Sequence, residues 1–158
     1  MKSLIVYSSQ TGNTQKLADI IYNFLSNEKN IFKIEEAPNP SGFDLIFLGF
    51  WLKAGNPDPK TQEYLKQITK QKLFLFSTHG ASKESQHAKN AMENAKKMAP
   101  EADIIGCFNC PGEVTPKILE KAKSKAEPPV WLKDAPAAKG HPNDADCKEL
   151  KDLLKQCL

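Results

Sequence analysis

A short apolar run, Leu4-Ile5-Val6-Tyr7, gives way to a loop rich in hydroxyls, Ser8-Ser9-Gln10-Thr11-Gly12-Asn13-Thr14, and that loop opens a helix. The helix reads from Leu17, Ile20, Ile21, Phe24 and Leu25, which recur at i, i+3, i+4, i+7 and i+8 and form one apolar face. A strand that ends at a helix N-terminus restricts the fold more than any other feature of the chain. The first amides of a helix have no intrahelical partner, and the helix dipole puts partial positive charge there, so the loop is built to meet an anion. Ser9, Thr11 and Thr14 add side-chain donors, and Gly12 permits close approach or a positive φ. The loop holds no Lys or Arg, and the nearest cation is Lys16. It carries neither G-x-x-x-x-G-K-[ST] nor G-x-G-x-x-G, which argues against a nucleoside triphosphate and against a dinucleotide crossover. Neutral donors suit a single terminal phosphate. A capped helix without a ligand stays the plainer alternative, although a cap needs one hydroxyl rather than three.

Downstream, strands and helices alternate. Ile31 to Glu36 reads as a half-exposed strand. Phe43 to Phe50 is an almost unbroken apolar run, as in a strand buried on both faces. A Pro-rich loop from Trp51 to Lys60 leads to a short helix with Tyr64, Leu65 and Ile68 inward. Leu73 to Phe76 is a further buried strand, and a helix follows from about Glu84 to Met98, stopped by Pro100. Ile104 to Phe108 is the fifth strand, with a loop over 109–115. Pro116 starts a Lys-rich helix reaching about Ala126, and Pro128-Pro129 breaks it. Residues 130–143 read as a loop, and a last helix spans about Asp144 to Cys157. This alternation predicts an α/β fold: a doubly wound, five-stranded parallel sheet with right-handed crossovers and helices on both faces.

Length and composition fit one domain over residues 1–158. No apolar run approaches the ~20 residues of a membrane span. Met1-Lys2-Ser3 leads straight into a strand, so a cytoplasmic protein without a membrane role is expected, with its four cysteines as thiols. The net charge of +3 is mild, and the lysines are not interleaved with aromatics, which argues against nucleic acid. Cys107-x-x-Cys110 is a redox pair, a metal fragment or two unrelated thiols; Cys107 reads as the core residue and Cys110 as the exposed one. The Lys-rich helix is a solvated face or a docking surface for an acidic partner. Trp131 reads equally as a lid or a core plug.

The motif [ST]-x-T-G-x-T directly after the first strand, present as Ser9-Gln10-Thr11-Gly12-Asn13-Thr14, resembles the phosphate loop of the flavodoxins, whose cofactor is FMN. The resemblance covers roughly residues 1–110 and implies strand order 2-1-3-4-5, with the ligand at the carboxyl ends of the strands beside the switch point. It implies an electron carrier that works between redox partner proteins, a reductase and an acceptor, as a monomer or weak dimer. It assigns no catalytic side chain and no metal. Ser9 to Thr14 would hold the phosphate. Trp51 would stack on the ring with Leu52 beside it, while Phe50 reads more as a core residue, and Lys53 and Gly55 would bring backbone groups to the N5 edge of the ring. Thr78 and Gly80 would meet the flavin edge by backbone, and either His79 would partly cover the ring or one face would stay open. Two departures stand out. The pI near 8.6 is basic where mobile flavodoxins are acidic, and the loop 77–83 lacks the second aromatic that such carriers present. The open face that results suits a small FMN-dependent reductase as an alternative; a flavin-free interaction domain is the other.

Overall fold

The computed structural model describes residues 1–158. Five parallel strands, β1 (Lys2–Tyr7), β2 (Glu28–Lys33), β3 (Leu45–Lys53), β5 (Lys72–His79) and β6 (Asp103–Pro111), pair in the order β2-β1-β3-β5-β6. A two-residue strand, β4 (Asn56–Pro57), folds back antiparallel on β3. Counting the parallel strands alone, this is the 2-1-3-4-5 order expected, so the doubly wound α/β reading holds.

Alternation along the strands sorts side chains to two faces. Leu4, Val6, Ile46, Leu48, Leu73 and Leu75 face a core closed by α2 (Pro59–Leu65) and α3 (Gln86–Met98). Ile5, Phe47, Phe74 and Phe76 face the opposite core, closed by α1 (Asn13–Phe24) and α5 (Asp144–Cys157). The switch of faces between α1 and the later crossovers opens a crevice at the strand carboxyl ends, beside β1. α4 (Pro116–Lys123) and a 3-10 segment, Leu132–Ala138, lie between β6 and α5 in sequence.

Several boundaries differ from the sequence expectation. β2 begins at Glu28, and residues 34–36 form a 3-10 turn instead of extending the strand. β3 runs past Phe50 to Lys53, because its end is zipped to β4 across a tight turn with Ala54 at φ 51 and Gly55 at φ 77. Positive φ at both central residues is the signature of the hairpin turn whose twist matches its strands. β6 continues to Pro111, which places both Cys107 and Cys110 on the strand. Cys110 is therefore fully buried and Cys107 only partly so, the reverse of the expected exposure. Burial pushes both thiols above their ordinary range, since a thiolate there would lose its hydration. No helix is long and apolar enough to cross a membrane.

Candidate functional site

Four of the five α-helices carry a side-chain N-cap: Asp58 on α2, Ser85 on α3, Thr115 on α4 and Asn143 on α5. α1 has none. Its N-cap is Gly12, at φ 94, and the first intrahelical bond runs from the Lys16 amide to the Gly12 carbonyl at 3.0 Å. The amides of Asn13, Thr14 and Gln15 precede that bond and point out of the helix start. The loop folds around them. The Gly12 amide donates to Ser9 Oγ at 3.1 Å, and Thr14 Oγ1 lies 2.9 Å from Thr78 Oγ1 at the end of β5. Lys16 does not supply a cation, because its Nζ donates to the Pro142 carbonyl at 2.6 Å.

This helix start forms one wall of an open cleft that, counted out to solvent, spans about 690 Å³. Ser9, Gln10, Thr11, Asn13 and Thr14 line it from the first loop. Trp51 and Leu52 enter from β3, and Thr78, His79 and Gly80 from β5. Ten of the fourteen residues singled out in the sequence thus meet at the crevice beside the switch point. Gly12 does not line the cleft; it stands at the N-cap of α1 with φ 94. Phe50 does not reach the cleft: it is fully buried in the core closed by α2 and α3. Lys53 and Gly55 lie on the adjoining hairpin rather than on the cleft wall, although a Cβ on Gly55 would stand 3.8 Å from the His87 ring.

His79 lines the cleft without offering its ring. The imidazole is buried, and Nε2 lies 2.8 Å from Asn109 Oδ1 on β6. Burial lowers its pKa below the usual histidine value, against the opposing pull of the Asn109 hydrogen bond. The expected covering of a ring by His79 is not what this geometry provides.

The other side of the cleft was less readable from sequence. Gly112, Glu113 and Val114 follow β6, Ile118 comes from α4, and Trp131 from the segment before the 3-10 helix. Asn13 Nδ2 donates to the Glu113 carbonyl at 3.1 Å and so ties this loop to the start of α1. A Cβ on Gly112 would fall 2.6 Å from Asn13 Nδ2, so a side chain there would push Asn13 off this contact. His87, one residue into α3, also lines the cleft, and burial lowers its pKa. Glu113 is the only carboxylate on the wall, and no lysine stands there.

The donor set is neutral: hydroxyls, an uncapped helix start and amide groups, next to an indole. It fits a ligand with one phosphate and a flat ring, the chemistry of a mononucleotide-type cofactor. Fold and site together define a doubly wound α/β protein whose first helix start, without a side-chain cap, opens into a cleft at the switch point. The flavodoxin domain model matches residues 4–155, and the chain belongs to the flavodoxin family. It is 30% identical to the flavodoxin-like domain-containing protein BilS of Clostridioides difficile, over all of this chain and 97% of that one. It is 29% identical to an uncharacterized Methanocaldococcus jannaschii protein, over all of this chain and 99% of that one. Among solved structures, a short-chain flavodoxin associated with a bacterial microcompartment aligns with TM-score 0.66 at 12% identity, over 99% of this chain and 97% of that one. A Lactobacillus acidophilus flavoprotein in complex with FMN aligns with TM-score 0.57 at 17% identity, over 68% and 92%. At these identities the structures speak for the fold.

Proposed function

We propose that this chain binds FMN in the cleft and carries electrons between redox partner proteins. The observation that carries the reading is one juxtaposition: an uncapped helix start ringed by Ser9, Thr11 and Thr14 opens into the same cleft as Trp51. When bound, FMN supplies the capacity to take up and release electrons. The chain supplies binding and electrostatics. The free amides of α1 and the loop hydroxyls neutralise a phosphate by hydrogen bonding, without a cation. Trp51 offers a flat apolar surface to a ring. Toward that ring the wall presents one carboxylate, Glu113, no lysine, and two histidines that burial holds toward the neutral form. Such a wall opposes added negative charge and favours release of electrons to an acceptor. The FMN complex described for the Lactobacillus acidophilus neighbour supports the choice of cofactor.

The test begins with the visible spectrum of the purified protein and a fluorescence titration of the apo form with FMN. We expect micromolar or tighter binding. Thr11→Ala/Thr14→Ala should weaken it by about a hundredfold, the loss of two hydrogen bonds to a charged group. A wild-type protein that takes up no FMN removes the reading. Nicotinamide oxidation by the purified protein alone would replace the carrier with a reductase.

A further inference from the structure

The chain has two tryptophans, Trp51 and Trp131. Neither belongs to either hydrophobic core nor packs against one among its partly buried neighbours, yet both line the cleft. Indole is the largest apolar side chain, and folding normally spends it on a core or an interface. Here all of it is placed on one crevice. Trp51 stands at the end of β3, and Trp131 lies over the end of β5, against the Gly80 backbone. A Cβ at Gly80 would fall 2.9 Å from Trp131 Cε3, 3.4 Å from its Cζ3 and 2.8 Å from Val114 Cγ2, so the indole sits where any side chain at position 80 would push it aside.

The segment that carries Trp131 is fixed at its far end. Ala135 and Ala138 are buried, the Ser82 amide donates to Asp134 Oδ2 at 3.4 Å, and the Asp134 amide donates to the Trp131 carbonyl at 2.9 Å. At its near end the chain is open: residues 123–128 are exposed, and Val130 is 67% exposed. Trp131 itself is half-buried. A plug for the core would be enclosed on both sides of the chain; this residue is held from one side and left facing the cleft.

We infer that Trp131 is a ring-stacking residue of the site, which bounds a flat conjugated ligand on the β5–β6 side while Trp51 meets it from β3. The inference rests on the FMN reading and deepens it. The second ring face, for which the loop 77–83 offers no aromatic, is covered from 51 residues further along the chain than Gly80.

FMN titrations of the wild type, Trp131→Leu, Trp131→Phe and Gly80→Ala test this, with iodide quenching of the bound flavin as the second readout. Trp131→Leu keeps apolar bulk and loses the stack. Its affinity should fall about tenfold and iodide should reach the flavin more readily, whereas Trp131→Phe should stay within about threefold of wild type. Gly80→Ala, which retains the indole and displaces it, should behave like Trp131→Leu. Inorganic phosphate should compete with FMN equally in all four, since the phosphate loop is untouched. Wild-type affinity and wild-type iodide protection in both Trp131→Leu and Gly80→Ala would overturn the inference while leaving FMN binding intact. A Trp131→Leu chain that loses its fold by circular dichroism leaves Gly80→Ala to decide. Failure of the wild type to bind FMN removes both readings together.

Discussion

His79 shows how a residue can stand at the edge of a site and serve the fold instead. Its ring is buried against β6 and bonded to Asn109, and burial favours the neutral form. The folded pKa lies below the unfolded value of about 6.5, so the unfolded state binds more protons as the solution is acidified. The stability owed to the neutral ring is complete above about pH 6.5 and is lost as pH falls toward the folded pKa. Denaturant unfolding at pH 7.5 and pH 5 should therefore show an acid loss that His79→Gln reduces, since an amide keeps a partner for Asn109 and cannot titrate. His87 carries a shift of the same sign, so the slope should shrink and not vanish. An unchanged slope in His79→Gln would show that the ring does not titrate in this window. Nothing in the sequence separates this buried ring from an exposed loop histidine. The difference lies in Asn109, 30 residues away, and in the extension of β5 and β6 beyond their apolar runs.

At the scale of elements, the end of β1, the end of β3 and the start of α2 are joined through one residue, Asp58. Asp58 is buried; its Oδ1 accepts from Ser8 Oγ at 2.9 Å and from the Thr61 amide at 3.2 Å, and Oδ2 accepts from Thr61 Oγ1 at 2.7 Å. Its own amide donates to the Trp51 carbonyl at 3.0 Å. Loss of the cap together with stranded hydroxyls should make Asp58→Ala cost about 2–4 kcal/mol in urea unfolding, with Asp58→Asn roughly half as costly. A cost below about 1 kcal/mol for the alanine variant would contradict the hub role. The sequence shows the contiguous half of the site well. The strand, the hydroxyl loop and α1 are adjacent in the chain, and one apolar period encodes them. Trp51 follows β3 directly and is equally legible. The opposite wall is assembled from Gly112, Val114, Ile118 and Trp131, which no period or motif links; Val114 and Trp131 pack against Gly80, and Gly112 against Asn13. The two cysteines teach the same point: an apparent turn at Cys110-Pro111-Gly112 is the end of a buried strand, because pairing with β5 carries it on to Pro111.

Across the whole molecule, the cleft draws on the ends of β1, β3, β5 and β6 and on the starts of α1 and α3, so few parts of the fold are indifferent to its contents. A ligand held by so many separate elements binds the folded chain and has no comparable site in the unfolded one. Its binding energy then appears as stability, growing as RT ln(1 + [L]/Kd). At a hundredfold excess over Kd, FMN should add about 2.7 kcal/mol, which for a chain of this size raises the melting temperature by roughly 5–10 °C. Thr11→Ala/Thr14→Ala should lose most of that rise at the same FMN concentration while melting near the wild type without ligand, because hydroxyls that await an anion contribute little to the empty fold. The exception is Thr14, whose hydroxyl meets Thr78 inside the protein, and a small drop in the ligand-free melting temperature should trace to it. A thermal shift that is equal in the double variant and the wild type would place FMN somewhere other than the helix start. A ligand-free melting temperature lowered as much as the shift is reduced would make the loop a structural cap, and the hydroxyls around α1 would belong to folding alone.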